Sequence, residues 1–116
     1  MANWHKNLAA GRWQEFTLLE QLANIGAEIG RALLWQKKNN KEKSAKALER
    51  GLELFDLTIA DSRWRHRLKE IVRMREVVCD YFYGDNHYQS TAEWLDKYFL
   101  QFAIAARRKI LVKSKD

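Results

Sequence analysis

The sequence contains no proline, a single cysteine and only five glycines among its 116 residues. Proline is the strongest helix breaker, so its absence leaves almost every position free to be helical, and the alanine, leucine, lysine, glutamate and arginine content favours helix. The one cysteine, Cys79, cannot form a disulfide within the chain, and we expect it to have a packing role in a reducing compartment. The composition therefore predicts an all-α fold without disulfides.

Long hydrophobic runs are also missing from the sequence. No apolar stretch approaches the roughly 20 residues that a membrane-spanning helix requires, and the N-terminus lacks the apolar segment of a secretory signal. With 47% hydrophobic and 31% charged residues, the chain can both fill a core and solvate a surface. We expect a soluble cytoplasmic protein that folds as one domain over residues 1–116, with no membrane association.

Motifs that carry enzyme chemistry or hold a metal are absent as well. The sequence has no His-Glu-x-x-His, Cys-x-x-Cys, Gly-x-Ser-x-Gly or phosphate-binding glycine loop, and no glutamate stands three residues before a histidine. Small all-α ribonucleases of the HEPN type carry an arginine followed by a histidine after four to six intervening residues, whereas Arg63 and His66 are closer together. We therefore predict a protein that is not an enzyme, with no cofactor and no metal site. A ribonuclease that uses His66 stays as an alternative function, ranked below a nucleic-acid-binding protein and a protein-interaction module.

Hydrophobic periodicity predicts four helices. Apolar residues recur at three- and four-residue steps, and the breaks between the segments coincide with turn-forming residues. The first three predicted helices span residues 12–36, 42–60 and 61–84. The fourth begins after Ser90, the N-cap of a capping box that Glu93 completes. Short loops join antiparallel neighbours, so we predict an up-down-up-down four-helix bundle with an N-terminal arm at 1–11 and a basic tail at 107–116.

The apolar stripes of these helices identify a candidate core. The first stripe comprises Leu18, Leu22, Ile25, Ile29 and Leu33. The second is a heptad seam of Ala45, Leu48, Leu52, Phe55 and Ile59. The third comprises Trp64, Leu68, Ile71, Val72, Val78, Cys79 and Phe82, and the fourth Leu95, Tyr98, Phe99, Phe102, Ala106 and Ile110. We expect Gly84 to end the third helix in a left-handed conformation, and Arg75 to pair with Glu49 or Glu53.

Small residues form a second stripe on the first helix, at Ala23, Gly26 and Gly30. Glycine inside a helix costs roughly 1 kcal/mol relative to alanine, so close approach of another backbone is the expected compensation. That backbone belongs either to a neighbouring helix of the same chain or to another copy of the protein. The fourth helix is apolar over more of its circumference than one core requires, with Trp94 and Ala103 outside the stripe. The candidate oligomer interface therefore comprises Ala23, Gly26, Gly30, Trp94 and Ala103.

The positive charge is concentrated in blocks. The formal net charge is +6, and bases cluster at 37–50, at 63–75 and in the last ten residues. Arg65, Lys69 and Arg73 follow one another at i, i+4 and i+8 of the predicted third helix, a spacing at which each can reach a phosphate. With the basic end of the fourth helix, they give a candidate nucleic-acid-binding set of Arg65, Lys69, Arg73, Arg107, Arg108 and Lys109. The aromatic residues Tyr81, Tyr83, His87 and Tyr88 offer an alternative in which bases stack near the third loop.

The order of the helices resembles that of a known family. The segments ALERGLELFDLTIAD, RLKEIVRMREVVCDYFYGD and AEWLDKYFLQFAIAARRK are similar to the bacterial four-helix-bundle family named for proteins encoded in intervening sequences of large-subunit ribosomal RNA genes. That family includes the accessory variability determinant of diversity-generating retroelements. The resemblance covers residues 16–109, and it implies a pentamer that binds the retroelement RNA and its reverse transcriptase and supports mutagenic retrohoming.

Taken together, the residues and the resemblance predict a non-enzymatic nucleic-acid-binding accessory protein. The expected partners are RNA or an RNA–DNA hybrid, a reverse transcriptase and further copies of the chain, the basic faces contacting phosphates. The main alternative is a protein-interaction or scaffold bundle of antitoxin-like character, in which the charge only solvates the surface.

Overall fold

The computed structural model describes the backbone of residues 11–114 and the side chains of residues 11–108, a part of the chain that is helical and contains no strand. Four α-helices, numbered α1 to α4, span Leu18–Lys37, Lys41–Ala60, Leu68–Phe82 and Ala92–Ser114. Two 3₁₀ segments, Arg12–Glu15 and Ser62–Arg67, precede α1 and α3. The all-α prediction is confirmed. Of the predicted arm at 1–11, only Gly11 belongs to the described residues.

The first helix is the centre of the core. Four of its five predicted stripe residues, Leu22, Ile25, Ile29 and Leu33, are buried. This helix packs along both α2 and α4, whose Phe55 and Phe99 rings meet edge-on with their centroids 6.2 Å apart. The predicted apolar stripe of the first helix is therefore confirmed, except that Leu18 at its start is only partly buried.

The buried face of α2 differs from the predicted seam. Its most buried positions are Ser44, Ala47, Leu48, Gly51, Leu54, Phe55 and Thr58. Ala45 is exposed, and Leu52 and Ile59 are only partly buried. Ser44 Oγ donates a hydrogen bond of 2.8 Å to the carbonyl oxygen of Ala32, which satisfies its buried hydroxyl. Leu48 and Phe55 of the seam are buried as predicted. The other three positions were wrong because small residues such as Ser44 and Gly51 face α1 instead, while periodicity counts only the apolar positions.

Gly26 lies where α4 crosses α1. A Cβ atom added to Gly26 would lie 2.8 Å from the Cβ of Phe99, closer than side-chain carbons approach one another. At Gly30 the same atom would meet only the Oδ1 of Asp96, at 3.7 Å, which is an ordinary contact. The close approach predicted from the small residues is thus made by a helix of the same chain at Gly26, and Gly30 has room for a side chain.

We expect the two glycines to respond in opposite directions to substitution by alanine. Gly26→Ala should lower the free energy of unfolding by about 1–3 kcal/mol, because the new methyl group would overpack against Phe99. Gly30→Ala, the matched control, should raise it by up to about 1 kcal/mol through helix propensity. Urea denaturation followed by circular dichroism measures both, and equal stabilities of the two variants would contradict the packing described for Gly26.

A buried polar cluster joins the start of the described chain to the junction between α2 and α3. The Gln21 amide nitrogen donates to the carbonyl oxygen of Trp13, at 3.0 Å, and to Asp61 Oδ2, at 3.1 Å. Its amide oxygen accepts from Trp64 Nε1 at 2.9 Å. Trp13 Nε1 in turn donates to the hydroxyl of Thr58 at 3.0 Å. Gln21 is fully buried, and these bonds replace the water that its amide group loses on folding.

This cluster explains why the predicted third helix is interrupted. Asp61 accepts from the backbone nitrogen and the guanidinium of Arg63, whose Nη2 also donates to the carbonyl oxygen of Phe16 at 2.8 Å. Trp64 has non-helical backbone angles, φ −102° and ψ 19°, with its indole directed to Gln21. The continuous helix predicted from residue 61 is therefore wrong: residues 62–67 are a 3₁₀ segment, and α3 begins at Leu68. Hydrophobic periodicity could not reveal these polar contacts.

The hydrogen bonds from Arg63 hold the pKa of Asp61 below its ordinary value. Asp61→Asn should lower the free energy of unfolding at pH 7 by about 2 kcal/mol, because a buried charge-assisted bond is lost while the partly exposed Arg63 stays solvated. A depressed carboxyl pKa stabilises the fold above the ordinary value of 3.8 and ceases to do so as the pH falls through the folded-state pKa. The difference between wild type and Asp61→Asn should therefore shrink in acid.

Thermal unfolding between pH 7 and pH 3 measures this dependence. Asp56→Asn is the matched control, since it removes a carboxylate that pairs with Arg75 but is 62% exposed. That pair should contribute less than about 1 kcal/mol. A constant gap between wild type and Asp61→Asn across this pH range would show that the Asp61 charge does not stabilise the fold.

Two helix starts differ from prediction in their capping residues. Helix α1 begins at a complete capping box, in which Thr17 Oγ1 accepts from the Glu20 backbone nitrogen and Glu20 Oε1 accepts from the Thr17 nitrogen. The sequence analysis missed this signal and began the helix at residue 12. For α4, the Trp94 nitrogen donates to Thr91 Oγ1, so Thr91 rather than the predicted Ser90 caps the helix. Adjacent residues of the same capping type explain the shift by one position.

The end of α3 is also made differently from the prediction. Gly84 does not adopt a positive φ angle; in the described loops that conformation belongs to Asn39, Asn86 and Gln89, and at the start to Gly11. Asp80 fixes the turn instead, because its carboxylate oxygens accept from the backbone nitrogens of His87 and Tyr88 at 2.9 and 3.0 Å. These bonds, the one from Tyr88 foremost, lower the pKa of Asp80.

The buried face of α3 is narrower than predicted. Ile71 and Val78 are buried as expected, with Met74 between them, whereas Leu68 and Val72 are 36% and 42% exposed. Within α3, Leu68 and Val72 lie to one side of the row formed by Ile71, Met74 and Val78, so only one edge of the predicted stripe is buried. A narrow buried face leaves more of this helix open to solvent.

Two polar contacts on α3 refine the sequence analysis. Arg75 pairs with an acidic residue of α2 as predicted, but its partner is Asp56, at 3.0 Å, rather than Glu49 or Glu53. Asp56 is one turn nearer the end of α2 than Glu53, a register that sequence alone does not fix. Cys79 is partly buried, and burial raises the pKa of its thiol.

Candidate nucleic-acid interface

The predicted basic stripe is only partly continuous. Lys69 and Arg73 lie one turn apart on α3, but Arg65 belongs to the 3₁₀ segment, where the α-helical spacing that defined the stripe does not apply. Arg65 and Lys69 are exposed, and neither forms an ion pair among side chains 11–108. These two residues are the part of the stripe whose charge is open to a partner.

Most of the remaining positive charge in block 63–75 is neutralised locally. The four ion pairs are Arg63–Asp61, Arg67–Glu70, Arg73–Glu76 and Arg75–Asp56. Only the first has a buried carboxylate; the others lie at exposed or half-exposed positions, where an ion pair contributes little and can be exchanged. The cationic surface is therefore narrower than the count of arginines indicates.

Arg73 has a mixed environment beside the loop that follows α3. Its Nε lies 3.5 Å from Glu76 Oε2, and its guanidinium carbon lies 5.7 Å from the centre of the Tyr88 ring. The Tyr88 hydroxyl donates to Glu76 at 3.1 Å, which raises the pKa of the phenol. Arg73 is thus oriented by a carboxylate and an aromatic ring, with 67% of its side chain exposed.

The basic end of α4 is solvent-facing where it is described. Arg107 and Arg108 are exposed and form no ion pair within residues 11–108. Position 109 is helical backbone, but the side chain of Lys109 lies outside the described residues, as do the side chains of the rest of the predicted tail. Cations near the C-terminus of a helix also complement its dipole, so this charge has a structural role as well.

A second group of cations surrounds Trp35 where α1 meets α2. The ammonium nitrogens of Lys43 and Lys38 lie 4.3 and 5.2 Å from the centre of the indole ring. Lys37 and Lys41 are exposed beside them. The charge block at 37–50 was recognised from the sequence, but Trp35 was not considered with it. An aromatic residue within reach of several lysines was the overlooked signal.

The aromatic residues of the third loop do not form one stacking platform. Tyr81 donates its hydroxyl to Gln36 at 3.0 Å and packs against Phe82, whereas Tyr83 is 63% exposed. His87 is exposed, with Nε2 3.8 Å from Asp85 Oδ2. Together with Tyr88 beside Arg73, these side chains have different surroundings and form no common stack.

The candidate oligomer residues also separate. Trp94 and Ala103 are both exposed, but nine residues are about two and a half helical turns, so they lie on opposite sides of α4. Gly26 is covered by Phe99 of the same chain. The sequence analysis missed Leu100 and Ile104, which are 52% and 46% exposed and lie one turn apart on the outer face of α4. Both residues are visibly apolar in the sequence. They were overlooked because the predicted fourth helix is apolar around most of its circumference.

Within the described residues, no group of three or more histidine, cysteine, aspartate and glutamate side chains is arranged to hold a metal ion. His66 is exposed in the 3₁₀ segment, and Arg63 is engaged by Asp61 and Phe16. No helix over the described part of the chain combines the length and apolar character needed to cross a membrane. Comparison of the chain with protein-family models, curated proteins and solved structures finds no match.

Proposed function

We propose that the protein is a non-enzymatic accessory protein that binds RNA or an RNA–DNA hybrid through phosphate contacts. The observation that carries the proposal is the pair Arg65 and Lys69, exposed at the start of α3 and without a carboxylate partner among side chains 11–108. Neighbouring arginines are balanced by acids, so this pair has charge that only an external anion would neutralise. A polyanion that gains two such contacts releases condensed counterions, which favours binding at moderate salt.

We also propose an antiparallel arrangement of the four helices and a cytoplasmic location. An up-down-up-down order of the helices is supported by the hydrogen bond from Ser44 to Ala32 and the ion pair between Arg50 and Glu28, which join α1 and α2 in opposite chain directions. The hydrogen bond from Tyr81 to Gln36 favours placing the C-terminal ends of α3 and α1 together. The composition, with its single cysteine, fits a cytoplasmic protein.

The decisive variant reverses the two open charges. Arg65→Glu combined with Lys69→Glu should weaken binding of a fluorescent RNA by roughly tenfold or more at low salt and reduce the slope of log affinity against log salt by about two. Fluorescence anisotropy over a salt series measures both quantities, and circular dichroism should show unchanged helicity because both positions are exposed.

The matched control is Arg31→Glu combined with Lys46→Glu. It changes the net charge equally, but at positions on α1 and α2 where the cations already pair with Glu28 and Glu42. If both double variants bind RNA with the same affinity, only total charge matters and the site is wrong. Wild-type protein that shows no salt-sensitive RNA binding would refute the function itself.

We further propose that copies of the chain assemble through the outer face of α4. Leu100 and Ile104 are the exposed apolar residues that support it, since each would gain roughly 1–2 kcal/mol from full burial. The resemblance to the retroelement accessory subunit suggests a pentamer with a reverse transcriptase as partner. Only the resemblance supports this copy number and this partner.

Leu100→Glu combined with Ile104→Glu should convert the assembly to a monomer, because charged residues cannot be buried against a second copy without a partner charge. Size-exclusion chromatography with light scattering measures the mass of both forms. Lys46→Glu, an exposed change on α2 that alters the net charge equally, is the control that should leave the mass of the assembly unchanged. A monomeric wild type would refute assembly by this face.

The second candidate function is a protein-interaction module of scaffold or antitoxin-like character. The same exposed face of α4 favours it, because Leu100 and Ile104 would serve a different protein as well as a second copy. This alternative predicts a partner whose affinity hardly depends on salt, and no binding of RNA.

A further inference from the structure

An apolar cavity lies between α3 and α4. These two helices have few close backbone contacts, and the space between them forms a cavity of about 210 Å³. Met74, Val78, Leu95 and Phe99 are buried in its wall, and Trp94 lies at its edge with half of its surface exposed. An engineered apolar cavity of about 150 Å³ binds benzene, so this one is large enough for a somewhat larger ring.

Two stacked aromatic rings are among the residues that line the cavity. The rings of Trp94 and Tyr98 are stacked, with their centroids 5.1 Å apart and their planes inclined by 13°. Burial raises the pKa of the Tyr98 phenol, so the group stays neutral at physiological pH. Flat π surfaces bind planar rings, including nucleobases, without demanding a particular base sequence.

Charged groups stand at the rim of this aromatic cavity. Arg73 and Glu70 both line it, and the Glu70 carboxylate is 2.8 Å from Arg67, which balances its charge. The Arg73 pair with Glu76, at 3.5 Å and exposed, is weak enough for a phosphate to displace. Lys69 lies one turn before Arg73 on α3, so its positive charge, unpaired among the described side chains, is close to the rim of the cavity.

We propose that the cavity receives one unpaired nucleobase of a single-stranded nucleic acid, whose adjacent phosphate contacts Arg73. This inference rests on the proposed function and specifies which nucleic acid the protein prefers. A base in a duplex is stacked and paired and cannot enter, whereas a single strand can turn one base outward at little cost. The protein should therefore bind single strands more tightly than duplexes at equal salt.

The test compares a 12-nucleotide RNA, the DNA of the same sequence and the corresponding RNA duplex by fluorescence anisotropy. Trp94→Ala should weaken single-strand binding by about tenfold, the effect of losing one stacked base, and leave duplex binding unchanged. Val77→Phe, which fills the cavity from its partly buried wall, should do the same. Similar losses with RNA and DNA would indicate that the base is recognised, and a loss confined to RNA would add a contact with the 2′-hydroxyl group.

Tyr83→Ala is the matched aromatic control, because Tyr83 is 63% exposed and does not line the cavity. If both cavity variants keep the helicity and the single-strand preference of wild type, the base-binding inference is overturned. The phosphate-binding function stands in that case, provided that Arg65→Glu with Lys69→Glu still weakens binding and lowers its salt dependence. Failure of wild type to bind any of the three nucleic acids would overturn both.

Discussion

The fold depends on satisfying one buried amide. Gln21 is enclosed at the point where the start of α1, the end of α2 and the segment before α3 meet, and an unpaired amide there would cost several kcal/mol. Trp13 supplies one partner from the start of the described chain, and Asp61 and Trp64 supply the others from the segment between α2 and α3. Because these partners must be in place together, the cluster determines where α2 ends and the direction in which α3 begins. It also explains why residues 62–67 are not α-helical.

The helical class and the stripe of α1 followed from the sequence because they depend on composition and on period, which are local properties. The full seam of α2 did not, since its buried face includes Ser44 and Gly51, which face α1, and Thr58, which bonds to Trp13, and no hydrophobic pattern selects these residues. The interruption before α3 was equally invisible. Its cause is a set of hydrogen bonds between residues 40 and 43 positions apart, and local propensity contains no information about such partners.

The residues of the candidate site could be predicted from the sequence, but the extent to which neighbouring acids neutralise each of them could not. Arg65, Lys69 and Arg73 were all identified from their charge and spacing, yet Glu76 neutralises Arg73 while Lys69 has no ion-pair partner among the described side chains. That difference depends on rotamers and helix register, which sequence does not specify. The cavity beside Trp94 could not be anticipated at all, because it arises from the space between α3 and α4 rather than from any motif.

The turn after α3 has a consequence for recognition on that side of the molecule. The Asp80 carboxylate fixes the amides of His87 and Tyr88, and the Asn86 side chain bonds to both the carbonyl oxygen and the nitrogen of Ser90. Ordering a free loop costs about 1–2 kcal/mol per residue in backbone entropy, and here that cost is met during folding. A molecule that bound on this side would therefore meet a preorganised surface, and ordering of this loop would not reduce its affinity.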